Sequence, residues 1–513
     1  MRKLFNLFFT LLIVFSANNI SAAQKTPDVN ALRNYIEEAR QLWKVPGMAV
    51  GIIYNDEIFL LEGFGEKEYG TGKKVDGNTV FAVASNTKAF TASALAMLVD
   101  EGKISWDDNV NKHLPWFKLY DPYVSENLTI RDLLCHRSGL VTFSGDLIWY
   151  GSNHSREEIL RRASFLKPKH GFRSEYGYSN ILYLAAGQIV EVVSGLKWED
   201  FVKTRIFSPL GMNESHTTIS TLNLKGNTAL PHNDVDEKII TISYLNWDNI
   251  GPAGSINSST ADMLKWLQFQ LNEGRVNDNQ LISKKNLNEM WSPQTIQKVS
   301  AFSQRNWPST HFKSYGLGWA LMDYHGKKVI SHSGGYDGMI SYSSFIPEAK
   351  LGFVILTNKN SSLYYPLAYK IMDTFLSDED KDWSKIFHEL ITKNEEASKK
   401  EEAEKAAEKV SGTVPTLDLK SYCGTYTCDI YGNVEVELID NKLSMRFVHT
   451  PIFHSTLEHW HYNTFTVKFP DVPSLPSGKA AFVIGMDNKV EKLLIDVPNP
   501  DFDFTELDLI KKE

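Results

Sequence analysis

Cysteine is scarce in this chain: among 513 residues only Cys135, Cys423 and Cys428 occur, so a disulfide-built scaffold is excluded. Cys423 and Cys428 pair only if the chain turns between them, because an extended strand holds them roughly 16 Å apart. Dense blocks of Lys and Arg with interleaved aromatics are also missing, and the net charge is −8. A nucleic-acid partner needs a basic face that releases counterions, so that class is excluded. No Gly-x-Ser-x-Gly elbow, His-Glu-x-x-His zinc motif or phosphate-binding Gly-Lys-Ser/Thr loop is present. His459 and His461 would share a strand face near His454, but no Cys or close carboxylate completes a ligand set. Neither a metal nor an organic cofactor is therefore implied.

Long apolar runs are lacking as well. The stretch from Leu4 to Phe15 is too short to span a bilayer; it follows Arg2 and Lys3 and precedes the small residues Ser21, Ala22 and Ala23. This order reads as an export signal over residues 1–23, cleaved before Gln24, with a retained anchor as the alternative. The expected destination is periplasmic or extracellular, with no transmembrane anchor after signal removal.

What is present is ample material for folded cores: 42% of residues are hydrophobic, and the length suits two folded units. Met48 to Tyr54, an Asn55-Asp56 turn and Ile58 to Phe64 read as a β-hairpin. A long helical region follows, with one helix from Ser85 through Leu98 and another from Ile181 through Val193, closed by Gly195. Strand patterns return at 315–322, 328–332, 341–346 and 351–357. Strands at both ends with helices between predict an α+β fold, one antiparallel sheet closed by the two halves of residues 24–376. Residues 377–414, rich in Glu, Lys and Ala, read as a charged helical linker. Short alternating runs over 415–513 predict a small antiparallel β-barrel.

Ser-x-x-Lys puts a hydroxyl and an amine on one helix face, where the amine can take the hydroxyl proton. Three pairs fit: Ser85/Lys88, Ser164/Lys167 and Ser194/Lys197. Lys167 precedes a proline, which disfavours a helix there, and Ser194 stands at a helix end. Only Ser85 opens a long apolar helix, which would bury Lys88 and aim a positive helix end at the serine. Burial matters because an ordinary lysine costs about 4–5 kcal/mol to deprotonate at neutral pH. The plain alternative is Ser85 as a helix cap with Lys88 in water.

Ser85-Asn86-Thr87-Lys88, Tyr178-Ser179-Asn180 and His332-Ser333-Gly334 resemble, in order, the three active-site motifs of class C β-lactamases and related penicillin-binding-protein-like peptidases and esterases. Asp132 to Leu140, Pro209 to Met212 and Tyr315 to Trp319 add to the resemblance, which spans roughly Asn30 to Phe375. It implies a serine hydrolase with Ser85 as nucleophile, Lys88 as its activator and Tyr178 as general base or acid, the phenolate being stabilised by a neighbouring ammonium. Asn180, His332, Ser333, Gly334 and Gly335 become substrate-binding candidates, and the amides of Ser85 and Gly335 an oxyanion hole. A packed tyrosine, a helix-capping Asn180, a surface histidine and a glycine hairpin turn are the plain alternatives for these positions.

This chain departs from the β-lactamase pattern at His332, where a lysine is usual. A mostly neutral imidazole suits a β-lactam carboxylate poorly, so D-amino-acid peptidases, DD-carboxypeptidases and esterases move up. The expected substrate is a small peptide, ester or β-lactam-like molecule, with a peptidoglycan-related peptide preferred. A small-ester esterase, a weak β-lactamase and a catalytically inactive envelope sensor are the alternatives. The tail, notably Tyr422 to Tyr426 and His459-Trp460, resembles the lipocalin-like domain of some D-amino-acid-specific serine peptidases, which implies shaping of the active-site entrance or homo-oligomer formation.

Overall fold

The computed structural model describes residues 27–235 and 237–512; the export signal expected at 1–23 lies outside them. Eight antiparallel strands make the main sheet: β1 (Gly47–Tyr54), β2 (Glu57–Gly65), β3 (Thr295–Gln297), β4 (Lys313–Tyr315), β5 (Ala320–Tyr324), β6 (Lys327–Tyr336), β7 (Met339–Ile346) and β8 (Leu351–Thr357). Their spatial order is β2-β1-β8-β7-β6-β5-β4-β3. Pairing of β1 with β8, in register Met48↔Thr357 to Tyr54↔Leu351, closes the sheet from both chain halves as expected. Asn55 and Asp56 both hold positive φ, 52° and 68°, which suits the tight turn joining twisted strands.

Two strand readings need correction. Residues 315–322 are not one strand, since the chain reverses at Gly318 (φ 80°) and Tyr315 pairs back onto Ala320. Strand β6 also continues past His332 to Tyr336, so Gly334 and Gly335 are strand residues facing Ser341 and Ile340. The turn comes later, at Asp337-Gly338, where Gly338 has φ +72°.

The sheet separates two apolar layers because strand side chains alternate. Met48, Val50 and Ile52 pack outward with helix α1 (Val29–Leu42); Ala49 and Ile53 belong to the inner core, which also holds α2 (Thr87–Asp100) and α3 (Asn180–Ser194). Helix α4 (Thr260–Leu271) lies across β1 and β8, and α5 (Tyr364–Leu376) covers the outer face. Every α2 residue from Thr87 to Leu98 is buried, which explains its lack of a polar face. No single described helix is long and apolar enough to cross a membrane.

The charged segment forms α6 (Trp383–Ala407). Its first turn is not a linker, because Trp383 and Phe387 are buried in the outer core beside Trp307; from Lys393 to Val410 the chain is exposed throughout. A closed eight-stranded barrel follows, its first strand Gly424–Cys428 pairing with its last, Leu509–Lys511. The barrel rests against the helical region: His449 stacks on His154 with centroids 4.2 Å apart, and Tyr150 packs against Phe453 and Phe502.

Candidate active site

Ser85 stands in a 3₁₀ turn leading into α2. The preceding Ala84 has φ 45°, a left-handed conformation that costs a non-glycine residue about 1–2 kcal/mol. That turn is held by β6 and β7. Ser341 donates to the Val83 carbonyl at 2.7 Å and receives the Asn86 amide at 2.8 Å, while Ser343 donates to the Asn86 side-chain oxygen. Gly334 permits the approach, since a Cβ there would lie 2.2 Å from the Val83 carbonyl oxygen and 2.9 Å from the Ser85 nitrogen.

Lys88 is fully buried. Its Nζ lies 3.0 Å from Ser85 Oγ, 2.7 Å from Asn180 Oδ1 and 2.8 Å from the Ala253 carbonyl oxygen. Burial lowers its pKa to about 7 against the opposing pull of Asp146; that is roughly the 4–5 kcal/mol the chemistry demands. A neutral amine has two hydrogens and one lone pair. The two carbonyl oxygens can only accept, so they take the two hydrogens and leave the lone pair for the Ser85 hydroxyl.

Asp146 was missed in the sequence. It opens a short helix, Asp146–Trp149, where burial raises its pKa to about 7 despite hydrogen bonds from Trp149 Nε1 at 2.8 Å and Asn180 Nδ2 at 2.6 Å. Asn180 thus accepts from Lys88 and donates to Asp146, coupling two groups that would otherwise titrate apart. It is the first residue of α3 rather than its cap; Ser179 supplies that oxygen, accepting from Leu182. A second carboxylate comes from the barrel, where Glu506 accepts the Ser144 hydroxyl and the Gly145 amide.

The Tyr178 ring faces the site, with Lys88 Nζ 4.7 Å from its centroid and Ser85 near enough to act on its hydroxyl. Burial holds the phenol well above its ordinary pKa, so it is protonated at rest. The expected phenolate is thereby disfavoured, because a lysine with a pKa of about 7 carries its charge only part of the time near neutrality. His136, stacked 4.2 Å from the Tyr178 ring, is likewise held neutral by burial.

His332 is buried, not a surface residue. Its pKa falls to about 3 through burial and the nearby Lys88, and it is therefore uncharged. Its Nδ1 donates to the Ser333 carbonyl at 2.6 Å, which leaves Nε2 to accept the Tyr315 hydroxyl at 2.7 Å. Both nitrogens being occupied, the ring meets the cleft as a wall. Ser333 and Gly335 are open to the same cleft. The rival pairs are not brought together as sites: Lys167 and Lys197 are both exposed.

Ser85, Asp146, Tyr178, Asn180, His332, Ser333 and Gly335 line a cavity of about 730 Å³ that also takes in Trp149, Tyr150, Trp247 and Tyr336. Barrel residues complete it, Ser474 to Pro476 from one loop and Pro498 to Phe502 from another. The Asp337-Gly338 turn and these barrel loops were invisible to motif reading. Their one sequence signal is Asp-Gly at hairpin spacing after the third motif.

Comparison with known proteins bears on this geometry. The beta-lactamase family profile matches residues 32–371. The chain belongs to the beta-lactamase family. Residues 408–511 match a domain of unknown function, DUF3471. Unguisins hydrolase ungD of Aspergillus violaceofuscus is 27% identical over 456 residues, 82% of this chain and 78% of that protein. The octameric penicillin-binding protein homologue from Pyrococcus abyssi superposes with TM-score 0.59 at 24% identity, covering 94% of this chain and all of that one. A D-stereospecific amidohydrolase from Streptomyces sp. gives 0.55 at 23% identity, covering 69% and 100%. At such identities the two structures establish a shared fold. A serine hydrolase of this family is what the chain is.

Proposed function

We propose that the chain is an exported peptidase that cleaves amide bonds in D-amino-acid-containing, peptidoglycan-related peptides through an acyl-enzyme on Ser85. The observation that carries the catalytic half is the lone pair of a buried, neutral Lys88 directed at Ser85 Oγ, 3.0 Å away. Lys88 takes the hydroxyl proton as Ser85 Oγ bonds to the substrate carbonyl carbon. The amides of Ser85 and Gly335 hold the developing oxyanion, a donor pair of the kind worth about 3 kcal/mol each. Tyr178, protonated and within reach of Ser85, passes a proton to the departing nitrogen, and Lys88 replenishes it. Water then attacks the ester with the same groups acting in reverse.

Support for an amide substrate comes from the name of the Streptomyces relative and from the neutral third motif. Neither His332 nor any lysine or arginine among the described cavity-lining residues offers a β-lactam carboxylate a fixed cation. The Arg2-Lys3 start and the apolar Leu4 to Phe15 run support export, and the barrel loops at the cavity mouth support a role for a lipocalin-like domain in shaping the entrance. Hydrolysis of D-aminoacyl amides, p-nitrophenyl esters and nitrocefin, measured side by side, tests the assignment. D-aminoacyl amides should give the highest kcat/KM; a dominant nitrocefin rate overturns the peptidase reading.

A further inference from the structure

The outer face of the sheet carries another cavity, of about 200 Å³, that acyl transfer does not use. Lys313 of β4 pairs with Met322 of β5, and Ser333 of β6 pairs with Tyr342 of β7, so each pair shares one face of the sheet. Helix α5 roofs them with Tyr364, Tyr365 and Tyr369. Tyr342 and Tyr364 tilt against each other with centroids 5.6 Å apart, and Tyr365 meets Tyr369 edge-on at 5.2 Å. Met322, Tyr342 and Tyr369 belong to the outer apolar layer. Of the described residues lining this cavity, Ser333 alone also lines the catalytic cleft.

Lys313 is the one charged side chain among the described lining residues. It is half-buried, and burial pulls its ammonium below the ordinary lysine pKa with no neighbouring charge opposing the shift. Its Nζ donates to Ser303 Oγ at 3.0 Å and to no other partner among the described residues. An ammonium has three hydrogens to donate, so it can still serve a ligand. A half-buried cation without a counter-charge is costly, and a bound anion offsets that cost. The walls around it are mostly aromatic rings and a thioether, which suit one negative charge on an apolar body better than a multiply charged phosphate. Size agrees, because an apolar cavity of roughly 150 Å³ already admits benzene.

We infer that this outer cavity is a binding site for a small aromatic monocarboxylate, its carboxylate on Lys313 and its ring among the tyrosines of α5. The site does not rest on the acyl-transfer reading, since its occupancy can be read without turnover. Ser333 stands two residues before Gly335 in β6, so an occupant borders the strand that supplies the oxyanion amide.

Ligand-observed NMR titration of the full chain with benzoate at neutral pH, with benzamide, benzylamine and inorganic phosphate as competitors, tests the site. Benzoate should bind with a dissociation constant below about 1 mM, the range open to so small a ligand, and none of the three competitors should displace it at equal concentration. Lys313→Met should weaken benzoate at least about tenfold, the scale of a charge-assisted hydrogen bond. Lys313→Gln, which keeps a donor for Ser303 but no charge, should lose it equally. A melting temperature at or above that of the unaltered chain in either variant separates lost binding from lost folding. No saturable binding of benzoate up to about 10 mM, displacement by any of the three competitors at equal concentration, or unchanged affinity in the two variants overturns the site. Competitive inhibition of p-nitrophenyl acetate hydrolysis, with a constant equal to the dissociation constant, puts benzoate in the catalytic cleft and overturns it too. Binding that depends on Lys313 in a chain that hydrolyses no ester or amide sustains the site while the hydrolase reading fails.

Discussion

Glu506 of the barrel receives the Ser144 hydroxyl at 2.5 Å, and so a carboxylate from the second domain stands at the start of the helix that carries Asp146. The barrel is thereby wired to the catalytic lysine: Glu506 acts on Asp146, Asp146 holds Asn180, and Asn180 holds Lys88. Replacing Glu506 by Gln removes a negative charge that raises the Asp146 pKa. Asp146 then ionises more readily and Lys88 keeps its proton to higher pH. The rising limb of kcat against pH should move to more alkaline values in Glu506→Gln, by less than about one unit given how partial the coupling is. An acid shift in a pH–rate profile would contradict the chain of contacts.

Lys88 itself sets the pH dependence of the whole enzyme. Its protonated form has no lone pair, so activity is absent well below its pKa and present above it. With that pKa lowered to about 7, kcat/KM should rise about tenfold per pH unit below 7 and level off above. Lys88→Arg keeps the charge and abolishes the base; turnover should fall by about 10²–10⁴, with circular dichroism unchanged.

Gly334 tests how closely β6 must approach the nucleophile. Because an added Cβ would lie 2.2 Å from the Val83 carbonyl oxygen, Gly334→Ala must push the Ser85 turn and β6 apart. The expected cost is about 1–3 kcal/mol in chemical denaturation, with kcat falling more than KM rises. Gly335→Ala meets only Ile340 at 3.7 Å and should leave stability nearly intact.

Asp337 carries a stability cost at neutral pH. Burial raises its folded-state pKa from 3.8 to about 6, so the folded protein binds more protons than the unfolded chain between those values. Its contribution is present below about pH 4 and lost as pH rises through about 6. Asp337→Asn removes the loss, and its melting temperature should exceed that of the unaltered chain by about 2–4 °C at pH 8. Scanning calorimetry at pH 4 should show the two proteins close together.

Much of this architecture was legible in the residues. The hairpin at Asn55-Asp56 and the end of α3 at Gly195 follow local rules that tertiary packing reinforced, and a buried α2 after Ser85 separated one Ser-x-x-Lys pair from its two rivals. Asp146 and Glu506 were not legible, because each gains its role from a partner beyond any local pattern, Asn180 34 residues on for Asp146 and Ser144 362 residues back for Glu506. The strand over 315–322 was misread for a related reason: Gly316 and Gly318 break an apolar pattern that alternation alone treats as continuous. His332 was expected to meet substrate as a polar group, yet its two nitrogens are spent on Ser333 and Tyr315, an allocation that only three-dimensional packing decides.

The most direct test of the account is peptide mapping by mass spectrometry after reaction with a fluorophosphonate, followed in time from pH 5 to 9. A single adduct on the Ser85 peptide, forming faster as pH rises through about 7 and lost in Ser85→Ala, is the predicted result. An adduct on another residue, or one that forms equally well in Ser85→Ala, would contradict it.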